Sequence, residues 1–133
     1  MRKDKNGIIN PSIIAAITAI RHTDYFVICD PGLPISSGAP VIDISLTAGV
    51  PHFTQTLKLI CAEMAIEGAI LASEMAEQNP DLFKETSQLL ENVPISKVSH
   101  EELKQLANKA KCFLITGETT PYSNIILIGG VSF

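Results

Sequence analysis

The sequence predicts an α/β fold, a single three-layer domain in which a mixed β-sheet is flanked by helices. Three observations predict it. Helix signals and short apolar runs alternate along the 133 residues, the pattern of α/β chains. The runs at 25–29, 112–116 and 124–128 are too short for helices and almost free of polar side chains, as strands buried on both faces are. Glycines and prolines fall between the elements, with no internal repeat, low-complexity segment or linker. One domain over residues 1–133 follows, because that length suits a single hydrophobic core.

In chain order, Asn10-Pro11 opens the first helix: asparagine caps well and proline suits the first helical position. Ile13, Ile14, Ile17 and Ile20 share one helical face, and the helix is expected to stop near Arg21. Residues 25–29 form a buried strand. Ile42, Ile44 and Leu46 alternate with Asp43, Ser45 and Thr47, the period of a half-exposed strand, which Gly49-Val50-Pro51 breaks. Residues 52–64 read as helix. Residues 69–72 are expected to be a strand after a break at Gly68, with continued helix through 66–78 as the alternative. Asn79-Pro80 repeats the helix start, with Leu82, Phe83, Leu89 and Leu90 as the apolar face. Ser99 and Glu102 form a capping box for a helix running to about Ala110. Residues 112–116 and 124–128 close the chain as strands.

Composition narrows the function classes. The net charge is -4 and 18% of residues are charged, which opposes binding to a phosphate backbone. No apolar run approaches the ~20 residues that span a bilayer. The opening MRKDKNGIINPS lacks the apolar core of a secretory signal. Cys29, Cys61 and Cys112 are odd in number and widely spaced, neither a disulfide framework nor a zinc site; buried, reduced thiols in the cytoplasm are expected. A 46% hydrophobic composition with no tryptophan and a mean hydropathy of +0.25 suggests apolar surface buried between subunits.

The polar residues that interrupt this pattern are the candidates for chemistry. His22 lies just past a helix C-terminus. It either caps the last carbonyls or acts as a general acid or base, and a helix C-terminus suits a proton donor. Asp30 ends a buried strand, beyond whose carboxyl end α/β proteins bind ligands; Asp-Pro-Gly is also ordinary turn chemistry. His100 opens a helix, where added positive charge is disfavoured, so it suits an acceptor or an inconsequential surface position. Thr120-Pro121-Tyr122-Ser123-Asn124 places a phenol and an amide before a strand, either to orient a polar ligand or as a plain polar loop. Asp24 can pair with Arg21, Asp43 faces solvent, and His52 begins a helix at the surface. Phosphate-loop, HExxH and GxSxG motifs are absent.

Five segments together resemble one family: R-H-T-D at 21–24, C-D-P-G-L-P at 29–34, I-D-I-S-L-T-A-G-V-P at 42–51, S-H-E-E-L-K at 99–104 and G-E-T-T-P-Y-S-N-I-I-L at 117–127. The chain is similar to the D-ribose pyranase family, sugar mutarotases related to the fucose mutarotases. The likeness covers nearly the whole chain and is weakest at about 78–98. The resemblance implies that His22 is the catalytic proton donor and that Asp30, His100, Tyr122, Ser123 and Asn124 bind the substrate. Gly32-Leu33-Pro34 looks like the ribose branch. Arg21, Pro31 and Ser123 stand where glycine, alanine and alanine are common, and the first two flank the site. The family forms ring-shaped homo-oligomers, commonly decamers, with sites near subunit boundaries.

The implied reaction interconverts pyranose, furanose and anomeric forms of ribose by opening and closing a hemiacetal. It needs one proton delivered to the ring oxygen and one removed from the anomeric hydroxyl, but no metal, cofactor, nucleic acid or membrane. Sugars mutarotate unaided, so one positioned acid–base group, worth about 10²–10⁴-fold or roughly 3–6 kcal/mol, suffices. Three other readings use the same residues: a fucose-type mutarotase, a non-catalytic sugar-binding or transport accessory protein, and a metal hydrolase built on His22, Asp30 and His100. The last ranks lowest because no pair of these residues has ligand spacing.

Overall fold

The inner strands of the sheet place alternate side chains in two different cores, and this organises the molecule. A computed structural model describes residues 7–36 and 38–133. The basic start of the chain, read above for a secretory signal, lies largely outside the described residues. Six strands, β1 (Tyr25–Cys29), β2 (Val41–Asp43), β3 (Ile66–Ala72), β4 (Ile95–Val98), β5 (Cys112–Ile115) and β6 (Ile125–Gly129), form one sheet in the order β2-β5-β1-β6-β3-β4. Phe26, Ile28, Ala69, Leu71, Leu114, Ile125 and Leu127 face one core. There they meet α1 (Pro11–Ala19), α2 (Phe53–Glu63), α3 (Ser73–Gln78) and α4 (Pro80–Leu89). Val27, Cys29, Ile70, Ala72, Phe113 and Ile126 face the other, covered by α5 (His100–Ala107) and by Leu33 and Ile35. The expected three-layer α/β fold with a mixed sheet is borne out.

Burying each large apolar side chain stabilises the fold by ~1.5–3 kcal/mol, so the sheet is a stiff frame whose two ends hold their positions. β1 is parallel to β5, β5 to β2 and β3 to β4, whereas β6 runs antiparallel to both β1 and β3. Five strands therefore finish at one end of the sheet, and β6 begins there.

Local chemistry explains most boundaries. Asn10 Oδ1 accepts the N–H groups of Ser12 and Ile13 at 2.9 and 3.1 Å, as an N-cap should. The α1 C-terminus is held by Arg21 Nη1 donating to the Thr18 carbonyl at 2.9 Å, so His22 is left free of that capping duty. Ser99 accepts the Glu102 N–H at 3.1 Å, starting α5 where expected; α5 itself ends at Ala107 and a turn reaches Ala110.

Three expectations need correction. The break between helix and strand falls at Ala65, and Gly68 lies inside β3. A side chain at 68 would press on Ile128 Cδ1 at 3.2 Å, so this glycine serves packing rather than interruption. Residues 66–78 are strand and then helix, not one of the two. Asn79 precedes α4 but caps nothing; its Nδ2 donates to the Pro121 carbonyl at 2.7 Å. β4 was not foreseen, because an edge strand with Ser96 and Lys97 exposed in its centre has little apolar signal.

Candidate active site

Asp30 follows β1 at the end where five strands finish. Its Oδ1 accepts the Gly32 N–H at 2.9 Å and its Oδ2 accepts from Asn124 Nδ2 at 3.3 Å. Its own N–H donates to Asn124 Oδ1 at 2.9 Å. Asn124, just before β6, is 1% exposed, and its amide is committed to Asp30 in both directions. Burial raises the Asp30 carboxyl above its usual range, against the opposing pull of Gly32, Asn124, Leu33 and nearby His100.

His100 reaches the same end as the first residue of α5. Its backbone N–H donates to both oxygens of Glu74, at 3.1 and 3.0 Å, which ties β4's end to α3. The His100 ring meets the Tyr122 ring edge-on, with centroids 5.1 Å apart. Its Nδ1 is buried with no hydrogen-bond partner, an arrangement that costs about 1–3 kcal/mol until a donor or acceptor arrives. Tyr122 has a positive φ of 65°, a strained setting for a non-glycine residue. Ser123 is fully buried, and its hydroxyl donates to the Thr120 carbonyl at 2.8 Å. The Ser123 and Asn124 side chains thus shape the loop, while Asp30, His100 and Tyr122 are only partly buried.

Sequence reasoning missed the residue that anchors this loop. Glu118 is buried and accepts the N–H of Phe53 at 3.1 Å, the N–H groups of Thr119 and Thr120, and the Thr120 hydroxyl. His52 Nδ1 stands 3.3 Å away. Glu118 thereby caps α2 from 65 residues away. Its only sequence signal is a carboxylate followed by two threonines.

Burial pushes the Glu118 carboxyl up, but the bonds from Phe53, Thr120 and His52 outweigh it and hold the carboxyl below its ordinary 4.5. Glu118→Gln is expected to lower stability near neutral pH by about 1–3 kcal/mol, since an amide cannot accept on both sides. A lowered folded pKa means this contribution is complete above about pH 4.5 and fades as pH falls through the lowered value. Urea melts of both proteins from about pH 7 down to about pH 3 check it, with the difference shrinking in acid.

His22 is elsewhere. It precedes β1, so the five residues of that strand, roughly 15 Å of extended chain, separate it from Asp30. Within one chain the structure brings Asp30, His100, Tyr122 and Asn124 together with buried Ser123, and leaves His22 at the opposite end of the sheet. There His22 Nε2 lies 2.8 Å from Glu67 Oε2. The imidazole also lines a cleft of about 610 Å³ with Glu63, Gly130, Val131 and Phe133. Asp24 holds the turn: it accepts the Arg21 N–H at 2.8 Å and pairs with Lys111 at 3.2 Å. The Arg21 N–H and then Lys111 hold its carboxyl below the usual range despite some burial. Among the described residues, no group of three or more His, Cys, Asp or Glu is placed to hold a metal ion.

The thiols are quiet. Burial first, then the charges of Asp30 and Asp43, push Cys29 up to about 12, and burial pushes Cys61 up to about 11.

A sequence model of the RbsD / FucU transport protein family matches residues 3–132. The chain belongs to this family. Among RbsD / FucU relatives, a D-ribose pyranase from Bacillus velezensis is 45% identical over 129 residues, covering 97% of this chain and 98% of that protein. The structure described as Bacillus subtilis RbsD complexed with D-ribose is 41% identical with a TM-score of 0.94, and all of both chains is covered. The fucose mutarotase of Streptococcus pneumoniae, solved with L-fucose, shares the fold at 23% identity and a TM-score of 0.71, over 97% of this chain and 96% of that one. The resemblance drawn from five short motifs is borne out along the whole RbsD / FucU chain.

Proposed function

We propose that this protein is a D-ribose pyranase, an isomerase that interconverts the pyranose, furanose and anomeric forms of D-ribose by acid–base ring opening. One observation carries the reading. The chain is 41–45% identical over nearly its full length to a D-ribose pyranase and to RbsD solved with D-ribose, whereas the fucose mutarotase stands at 23%.

The site at the end of β1 binds the sugar. Asp30 accepts hydroxyl hydrogen bonds, held in place by Asn124. Tyr122 offers its ring face and phenol, and Ser123 keeps that loop in shape. The partnerless Nδ1 of His100 takes a sugar hydroxyl, which removes the cost of its burial. His22 donates the proton that opens the ring, and it comes from a neighbouring copy. Both ends of the sheet carry exposed apolar residues that favour such a contact: Val131 and Phe133 beside His22, Leu46 beside Pro31. Repeating this head-to-tail contact gives a ring where its rotation closes, and a homodecamer is what the family resemblance implies. The three free cysteines suit the cytoplasm.

The chemistry is then simple. His22 protonates the ring oxygen as the bond from the anomeric carbon to that oxygen breaks. His100, Asp30 or a water removes the anomeric hydroxyl proton, leaving an open aldehyde. Rotation and attack by a different hydroxyl, or on the other carbonyl face, closes a new ring and returns both protons.

NMR magnetisation transfer between ribose ring forms tests the reading directly. Catalytic amounts of the protein should raise the exchange rate, and raise it more for ribose than for fucose. Saturable binding with no change in exchange would instead mark a sugar-binding transport accessory.

A further inference from the structure

We propose that Glu67 is a positioning residue for His22: it holds the imidazole as the Nε2–H tautomer and turns Nδ1 towards the sugar. This rests on His22 being the proton donor. Glu67 gets its direction from an irregularity in the sheet. Ile66 pairs with Gly129 and Gly68 with Ile128, so the register shifts between them and Glu67 is the extra residue. Such an insertion re-aims one side chain, here out of the strand's alternation, and is typical beside active sites.

Two glycines let the pieces meet. A side chain at Gly129 would collide with the Arg21 carbonyl, and one at Gly130 would crowd Glu67, with its backbone N at 3.3 Å and Cβ at 3.4 Å. The turn carrying His22 is fixed from the other side. Thr23, at a positive φ of 69°, donates its N–H to the Gly129 carbonyl at 2.9 Å, and Asp24 secures the Arg21 N–H. The 2.8 Å contact between His22 Nε2 and Glu67 Oε2 is thus assembled by the backbone of three segments.

Stability does not explain that assembly. The side chains are 55% and 42% exposed, and exposed pairs contribute little to folding. A carboxylate on one imidazole nitrogen does fix which nitrogen carries the proton when the ring is neutral. Glu67 does not line the cleft that His22 borders, so the proposal assigns it to the ring and not to the sugar. The cycle balances: Nδ1–H delivers its proton to the ring oxygen, the neutral ring keeps Nε2–H on Glu67, and Nδ1 recovers a proton when the new ring closes.

The test is long-range ¹H–¹⁵N correlation of the His22 ring in the full-length protein without sugar, with the signals assigned by their loss in His22→Ala. At a pH where the ring is neutral, the wild type should be the Nε2–H tautomer, and Glu67→Gln should mix the two forms, because an amide can donate as well as accept. The same variant should lose about 10–100-fold in kcat, by analogy with removal of the partner that orients a metal-bound histidine, with KM within about twofold. A dominant Nδ1–H form in the wild type, or full kcat in Glu67→Gln, overturns the proposal. Retained exchange in His22→Ala instead overturns the assignment of the donor, and the tautomer measurement reports on Glu67 separately.

Discussion

Alanine in place of His22 is expected to lower protein-dependent ring exchange by about 10²–10⁴-fold, the range that one positioned acid–base group supplies. The stability of the fold should hardly move. The His22 side chain is exposed and, among the described residues, hydrogen-bonds through its ring to Glu67 alone, and exposed substitutions usually shift stability by within about 0.5 kcal/mol. Ribose binding should survive as well, since Asp30, His100 and Tyr122 remain. The signature is therefore lost turnover with retained fold and retained sugar affinity, read by magnetisation transfer, a thermal melt and a ribose titration on one sample. Full turnover in the variant would dismiss the donor assignment.

Mixing two dead variants should revive the enzyme. On the proposed assignment, His22→Ala removes the acid and Asp30→Ala removes a sugar contact. The two residues lie at opposite ends of one sheet, so a site shared between copies takes one from each. Each homo-oligomer is expected to be inactive, yet co-expressed chains should recover about a quarter of wild-type exchange, because one contact in four then joins an intact His22 to an intact Asp30. A site contained in one chain, or an obligate monomer, gives no recovery at all. Mass measurement of the mixed assembly confirms that both chains entered it.

Much of this was legible because it is local. Asn10-Pro11 and Ser99 with Glu102 announce helix starts, since capping needs only neighbours in sequence. The polar knot at 21–24 interrupts apolar surroundings and flags itself. The rest depends on contacts between distant residues. Asn124 meets Asp30 across 94 residues and Glu118 meets Phe53 across 65, and no periodicity encodes either. Nothing in the sequence marks Glu67: the glycine after it reads as a breaker, whereas Gly68 continues the strand and the irregularity lies at the carboxylate itself. Position alone leaves Tyr122, Ser123 and Asn124 open between a ligand-orienting segment and a plain polar loop; the five-motif resemblance makes them site candidates, and in the structure Tyr122 is half-buried beside the His100 ring while Ser123 and Asn124 are buried.

One last consequence comes from Cys29. An open-chain sugar carries a free aldehyde, and a thiolate beside it would capture it as a hemithioacetal. Cys29 is the chain neighbour of Asp30, yet it is completely buried, its Sγ lies 3.7 Å from the Leu114 carbonyl oxygen, and its thiol is pushed up to about 12. If the sugar opens beside Asp30 as proposed, this sulfur is kept protonated and buried, and the linear form recloses as sugar rather than stalling as an adduct.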